Sequence, residues 1–382
     1  MRHQNTVLHQ LLQHVPWTEF EKLVERYEAD KRVRRLTTKT QLVAMLYGQL
    51  SGAVGLRDAV TGLQSCRTSL YHLGASPVRR STLSDANALR PAEVFSELFS
   101  VILKQAHRGL RRALAEAVYL IDSTGIRLDG RSADWARFST GVCGAKVHVV
   151  YDPDADCPIY AQVSTANVND ITIAQQLPIQ PGATYVFDLG YYDYRWWAEL
   201  DDAGCRIVTR FKKNTPLSVI EERSVAASST ALSDRVGFLP PRLSYRRSNP
   251  MSKAVREVCV ATDAGKVLRI LSNDLTSPAD RIADLYKRRW AIELFFRWVK
   301  QTLKIRHFVG VSGNAVRIQV AVALIAFLLL RLAQAVQTTI TSPLQFARLI
   351  RIHLMSQRRL DRLLHSENLV SFRSDQMCLQ WN

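Results

Sequence analysis

Two short apolar runs near the middle of the chain each end on an aspartate. Residues 117–121 (AVYLI) run into Asp122, and residues 183–187 (ATYVF) run into Asp188. Runs of this length, bounded by polar residues and turns, are the size of strands rather than of core helices. Residues 146–151 (KVHVVY), 159–163 and 206–211 (RIVTRF) read as further strands. The gap between Tyr151 and Ile159 suits a hairpin, so the first three strands should pair antiparallel. Asn169 or Asp170 caps a helix running through Leu177, and a second helix occupies residues 193–202. The order is therefore three strands, helix, strand, helix, strand.

That order predicts an α/β fold with a ribonuclease-H-like mixed sheet and helices on both faces, begun over residues 116–211. Residues 212–272 interrupt it as a β-rich insertion, with strand-like pieces at 255–261 and 267–271. The core resumes over residues 273–310, where Pro278 starts one long helix through about Leu303. Residues 1–115 form a helical N-terminal region. Thr18 and Glu21 have capping-box spacing, a helix starts near Thr38 and stops at Ser51-Gly52, and a short one covers residues 56–63. Thr82 caps another, with Arg79 and Arg80 at its entrance. Residues 311–382 form a C-terminal helical region.

Charge divides along the same lines. The chain carries 51 Lys and Arg against 34 Asp and Glu, a net charge of +17. Residues 1–90 have a balance of +6, residues 91–284 of zero, and residues 285–382 of +11. A neutral body between two basic ends suits a polyanionic partner, either nucleic acid or an anionic membrane surface. The most apolar stretch, residues 320–330, lies between Arg317 and Arg331. It falls short of the ~20 residues a bilayer needs and reads as a buried helix. No signal-peptide pattern opens the chain, so no membrane partner and a cytoplasmic, nucleoid-associated location are expected. The six cysteines form no CxxC and the nine histidines no HExxH, which argues against zinc and for reduced thiols. Asp152, Asp154 and Asp156 imitate the start of an EF-hand loop. Cys157 and Val163 stand where that loop needs Gly and Glu, which excludes calcium. No P-loop, dinucleotide fingerprint or Ser-His-Asp arrangement is present.

The helix expected after Pro278 carries Tyr286, Arg289, Glu293, Arg297 and Lys300. On a regular helix, with Glu293 at zero, the other four fall within about 40° of it. One carboxylate thus stands in a narrow stripe of cations with a phenol. Leu285, Trp290, Ile292, Leu294, Phe295, Phe296, Trp298 and Val299 occupy the other faces and should bury. Judged on the helix alone, a wet row of Glu–Arg pairs fits equally well. Asp122 and Asp188 shift that balance. At the ends of adjacent strands they face out of the sheet edge, where ligands gather in open mixed sheets. Three hard-oxygen acids without a Cys or His set favour Mg²⁺ or Mn²⁺, two ions about 3.5–4 Å apart, for phosphoryl transfer.

The spacing Tyr-x2-Arg-x3-Glu-x6-Lys, met by Tyr286, Arg289, Glu293 and Lys300, resembles the signature of insertion-sequence transposases of the IS-four group. Ile121-Asp122-Ser123-Thr124 and Asp188-Leu189-Gly190-Tyr191 resemble that family's first- and second-aspartate motifs. The resemblance implies a DDE enzyme that performs cut-and-paste transposition, with Asp122, Asp188 and Glu293 as metal ligands. It implies that Tyr286, Arg289 and Lys300 contact the transposon-end backbone. It further implies a basic N-terminal region on the terminal inverted repeats of double-stranded DNA, and a homodimer acting on paired ends before target DNA is joined. Arg297 lies in the same stripe and is expected to join the DNA contacts. Arg79 and Arg80 read as phosphate contacts at a helix entrance, although a solvated bundle with a basic loop explains them too. The chain departs from relatives that stack a flipped base on a tryptophan, because no Trp lies between Trp197 and Trp290. A structure-specific nuclease on the same fold and a catalytically inactive DNA-binding regulator are the competing readings.

Overall fold

The computed structural model describes residues 5–110, 116–241, 248–262, 265–302 and 310–363. Among these residues ten strands form one mixed sheet: β1 (Val118–Leu128), β2 (Arg137–Ser139), β3 (Val142–Asp152), β4 (Cys157–Thr165), β5 (Thr184–Phe187), β6 (Arg206–Arg210), β7 (Ser218–Arg223), β8 (Ala231–Phe238), β9 (Val255–Ala261) and β10 (Val267–Ser272). β3 lies antiparallel to β1 and β4, while β1, β5 and β6 run parallel side by side. The order β4-β3-β1-β5-β6 is the ribonuclease-H-like sheet. The β-rich insertion continues it. β10 pairs antiparallel with β6, and β9, β8 and β7 follow outward.

Among the described residues six α-helices precede the sheet: α1 (Val7–Leu12), α2 (Trp17–Arg26), α3 (Thr38–Ser51), α4 (Leu56–Ser65), α5 (Arg80–Leu89) and α6 (Glu93–Leu110). Three lie among the strands, α7 (Ala133–Ala136), α8 (Asp170–Ala174) and α9 (Tyr194–Asp202). Four follow, α10 (Ala279–Arg288), α11 (Trp290–Thr302), α12 (Gly313–Ala335) and α13 (Pro343–His353). Local chemistry sets several ends. The Thr37 hydroxyl accepts from the Thr40 amide to open α3, and Gly52 closes it at φ +74°. Asp193 caps α9 by accepting from the Trp196 amide at 2.8 Å. Two expected caps are corrected. Pro16 supplies the start of α2 without a side-chain cap, so Thr18 sits inside its first turn. Extended Arg79 begins α5, so Thr82 is likewise inside the helix. The helix expected to reach Leu177 ends at Ala174.

Alternation along the strands feeds two cores. On one face Leu120, Val147, Val149, Val186 and Val208 join Ile292, Phe295 and Val299 of α11 and the apolar body of α12. On the other, Tyr119, Ile121, Phe187 and Ile207 pack with Trp196, Trp197 and Leu200 of α9. Among the described residues α12 is the one helix long and apolar enough to cross a membrane, but 83% of its apolar window is buried inside the fold. It packs against α3, α5, α6 and β4, the placement of a core helix. The amides of Val7 and Leu8 donate to the carbonyls of Ser356 and Leu354 at 3.0 and 2.9 Å, which ties the first helix to the segment after α13.

A buried ion pair joins two strands of the insertion, and its arginine reaches the turn before the helix that follows. Arg256 donates to both carboxylate oxygens of Asp234, at 2.7 and 2.6 Å, with the side chains only 3% and 5% exposed. The same guanidinium bonds the Ser277 carbonyl, one residue before Pro278 caps α10. Arg256→Ala would strand the Asp234 charge in the interior, and a loss of about 3–5 kcal/mol is expected in urea unfolding. Arg131→Ala, which removes the exposed partner of Asp129, should leave the midpoint unmoved. Equal effects would show that burial is not what gives the first pair its weight.

Candidate active site

β1 and β5 run parallel, and their pairing ends with Ile121 opposite Phe187. The next residue on each strand is an acid, so Asp122 and Asp188 occupy equivalent positions on neighbouring strands. Asp188 directly follows β5, as expected. Asp122 does not end its strand. β1 continues to Leu128 because β3 pairs with it all the way, from Leu120 opposite Tyr151 to Leu128 opposite Cys143. The acids therefore mark the place where the sheet narrows from β5 to the β1–β3 ribbon. Backbone amides orient both carboxylates. The Ser123 amide donates to Asp122 Oδ1 and the Gly190 amide to Asp188 Oδ1, each at 2.8 Å.

Glu293 arrives from the other direction. The single long helix expected after Pro278 is two helices, broken at Arg289. There the Arg289 amide donates to the Tyr286 carbonyl, and the Ile292 amide to the Arg289 carbonyl. This i→i+3 spacing tightens the turn and redirects the chain. α10 can then lie along β5, β6 and the insertion strands, while α11 crosses β1 and packs on α12 and α13. Trp290 and Leu294 are 51% and 47% exposed, contrary to the burial expected of them. They stand one turn apart on the side of α11 turned away from its partners.

The break aims Arg289 at the acids. Its Nη2 donates to Glu293 Oε1 at 2.5 Å, and its Nη1 lies 3.5 Å from Asp122 Oδ2. A guanidinium thus joins the two carboxylates, and its carbon lies 5.8 Å from the centroid of the Tyr286 ring. A cavity of about 290 Å³ opens beside them, lined by Asp122, Ser123, Thr124, Glu293, Phe296, Arg297, Lys300 and Gln301. Of the residues expected in the site, Tyr286 lies one turn before the break, half-buried, and Arg297 is exposed.

Burial pushes the Asp122 carboxyl up to about 6; the Ser123 amide opposes this, Asp188 and Glu293 raise it further, and Arg289 offsets them in part. This is a carboxylate short of positive charge. Among the described residues no three His, Cys, Asp or Glu side chains stand close enough together to hold a metal. Asp122 and Glu293 nonetheless converge on one cation, have hard oxygen donors and adjoin a cavity, so the residues fit a divalent ion that takes over the place of the guanidinium.

Four contributors were not picked out from the sequence. Ser123 supplies the amide under Asp122. Tyr191 is buried beside the acids. Asp170 lies behind them and accepts from the Ser123 hydroxyl at 2.8 Å. Arg210, exposed at the end of β6, lies close enough to Tyr286 to offset, with Arg289, part of the rise that burial gives its phenol pKa. Ser123 and Tyr191 stand inside the two aspartate motifs, but nothing in spacing marks Asp170 or Arg210.

The N-terminal helices carry a larger groove, of about 830 Å³, between the segment after α2 and the start of α5. It gathers Lys31, Arg34 and Arg35 with Arg79 and Arg90, side chains more than forty positions apart in part. Arg80, the first residue of α5, is exposed outside that lining.

A ribonuclease-H-like sheet with aspartates at matching positions on two parallel strands, one of them joined through an arginine to a helix-borne glutamate, has the frame of enzymes that act on nucleic-acid phosphodiesters. Residues 114–329 match the family described as Transposase DDE domain, and the chain belongs to that family. It is a transposase, an enzyme acting on DNA. Residues 3–76 match a domain family of unknown function. A protein of Sinorhizobium fredii assigned as a transposase, y4zB, is 41% identical over 284 residues, 74% of this chain and 79% of that protein. One of Geobacillus stearothermophilus, assigned to insertion sequence element IS5377, is 29% identical over 66% of each chain. A solved piggyBac transposase synaptic complex with hairpin DNA covers 94% of this chain and 80% of its own at 10% identity, with a TM-score of 0.44. That likeness is too distant to add weight to the assignment. The family normally uses divalent metal ions.

A raised carboxyl pKa works against the folded state once the group ionises. The folded protein holds the Asp122 proton more tightly than the unfolded chain does. The stability this contributes is present below the ordinary carboxylate value of 3.8 and is lost as pH rises through about 6. The shift corresponds to about 3 kcal/mol. Asp122→Asn should therefore gain on the wild type by a few degrees in melting temperature between pH 4 and 7, measured without divalent ions. A difference that stays constant across that range would show that Asp122 titrates normally.

Proposed function

We propose that the enzyme performs cut-and-paste transposition: it cleaves DNA at the terminal inverted repeats of its element and joins the freed 3′ ends to target DNA. Asp122, Asp188 and Glu293 are the catalytic acids and would hold two Mg²⁺ or Mn²⁺ ions. When bound, such ions activate the attacking oxygen and stabilise the leaving one. The observation that carries this reading is the convergence of Asp122 and Glu293 on one cation, next to the strand position occupied by Asp188.

The protein's own part is to position the backbone and supply charge. Arg289 neutralises the acids before substrate arrives. Once a divalent ion does so instead, its guanidinium is available to a phosphate next to the scissile one. Tyr286, Arg297 and Lys300 extend that contact along the end backbone. Arg79 and Arg80, with the groove that joins Arg79 to Arg34 and Arg35, bind flanking duplex. A homodimer would bring two ends together, and a chain of this kind would work in the cytoplasm on the nucleoid.

Labelled duplexes carrying the element's ends, incubated with the full-length protein and Mg²⁺, test the reading. Joined strands are expected. Cutting without joining would favour a nuclease, and binding without cutting an inactive regulator. Glu293→Gln should keep DNA binding and lower cleavage by about 10²-fold or more; undiminished cleavage would remove Glu293 from the site. Lys300→Ala should weaken end binding and reduce the slope of log affinity against log salt by about 1, as loss of one phosphate contact requires.

A further inference from the structure

Behind the acidic centre, on the α8 and α9 side of the sheet, lies a second polar cluster that phosphoryl transfer as described does not use. Asp170, the first residue of α8, accepts from the Ser123 hydroxyl at 2.8 Å and from Lys146 Nζ at 3.1 Å. His148 Nδ1 stands 3.6 Å away, and its Nε2 is bonded to the Ser164 hydroxyl at 2.7 Å. Burial pushes the His148 imidazole down to about 4, so near neutrality Lys146 supplies the positive charge that Asp170 faces.

We propose that Asp170 is a positioning residue for the acidic centre, fixing Asp122 through Ser123 and Asp188 through Gly190. The first link is a relay within one residue: Ser123 gives its hydroxyl to Asp170 and its amide to Asp122 Oδ1, both at 2.8 Å. Holding the hydroxyl sets the peptide that orients the catalytic carboxylate. The second link is steric. Gly190 gives its amide to Asp188 Oδ1 at 2.8 Å. A Cβ on Gly190 would stand 3.0 Å from Asp188 Oδ1 and 3.4 Å from Asp170 Oδ2, so the bare backbone at 190 is wedged between the two carboxylates. Tyr191 completes the packing. Its ring is 1% exposed, and its hydroxyl lies beside Ser123 without meeting hydrogen-bond geometry. The phenol is held well above its ordinary pKa by burial first, then by Asp122, Asp170 and Asp188. All three acids thus press on one neutral group. Asp170 does not line the cavity and is committed to Lys146, so it acts through its neighbours rather than on DNA.

The inference rests on the acidic centre proposed above. Its test measures the Mn²⁺ concentration for half-maximal cleavage of end duplex, and separately the rise in melting temperature that Mn²⁺ gives the protein without DNA. Groups that orient metal ligands are worth about 10–100-fold in metal affinity. Asp170→Ala and Ser123→Ala should each raise the half-saturating Mn²⁺ about tenfold and shrink the Mn²⁺-induced melting shift, with end-DNA affinity unchanged. Asp170→Asn keeps an acceptor for Ser123 and should recover most of the loss. The double variant should be no worse than the poorer single one, because both lie on one relay. Wild-type Mn²⁺ demand in both single variants, or losses that multiply, would overturn the proposal. If Asp170→Ala does not fold, Ser123→Ala and Asp170→Asn carry the test. If Asp122→Asn still cleaves like the wild type, the acidic centre itself is wrong and this inference falls with it. If Asp122→Asn is inactive while the Ser123 and Asp170 variants behave like the wild type, only the positioning role falls.

Discussion

The parallel pairing of β1 with β5 is the constraint from which the rest of the molecule follows. Two strands whose paired residues lie 66 positions apart (121 to 187) come into register so that Ile121 meets Phe187, and the next residue on each is an aspartate. A parallel pair needs a crossover. The chain supplies a long one, built from the β3–β4 hairpin and α8, which also covers one edge and one face of the sheet. Because β3 goes on pairing with β1 after β5 has stopped, the acids lie at a step in the sheet where one side is open. That step is the floor of the proposed active site.

Bringing acids together creates an electrostatic problem that the chain answers locally. Asp122 is buried near Asp188 and Glu293, and its carboxyl is pushed up accordingly. The break between α10 and α11 puts a guanidinium where it relieves part of that repulsion. An internal cation of this kind offsets part of the repulsion within the centre. The insertion contributes at a distance. Its strands extend the sheet beyond β6, and the Arg256–Asp234 pair anchors the turn from which α10 departs. The start of α10 is thus held by residues far from the acids.

The charge imbalance finds a related explanation. The described parts of the two positive regions pack on each other: α1 bonds to the segment beyond α13, and α12 packs against α3, α5 and α6. Lys31, Arg34 and Arg35 gain Arg79 as a neighbour across a groove. Arg297 and Lys300 line the cavity beside the acids. A strongly basic surface near a neutral catalytic body suits an enzyme that must hold long polyanions around a small reactive centre.

Much of this was legible in the residues alone. Strand-sized apolar runs that lead to aspartate and the antiparallel hairpin around residues 151–159 depend on local pattern, and local pattern survives folding; of the expected stripe, only Glu293, Arg297 and Lys300 share one helix. The ribonuclease-H-like order could be read for the same reason. Long-range partners decided what remained. β1 outruns its apolar stretch because β3 carries it on. The expected single helix breaks at Arg289 because its halves pack on different neighbours, and Trp290 and Leu294 remain exposed because α11 has partners on one side only. Asp170 and Arg210 gave no signal, since an acid on a short helix and an arginine at a strand end are ordinary until folding brings them beside Ser123 and Tyr286. Periodicity records which face of an element is apolar, whereas the identity of what meets that face is set only when distant segments compete for the same surface.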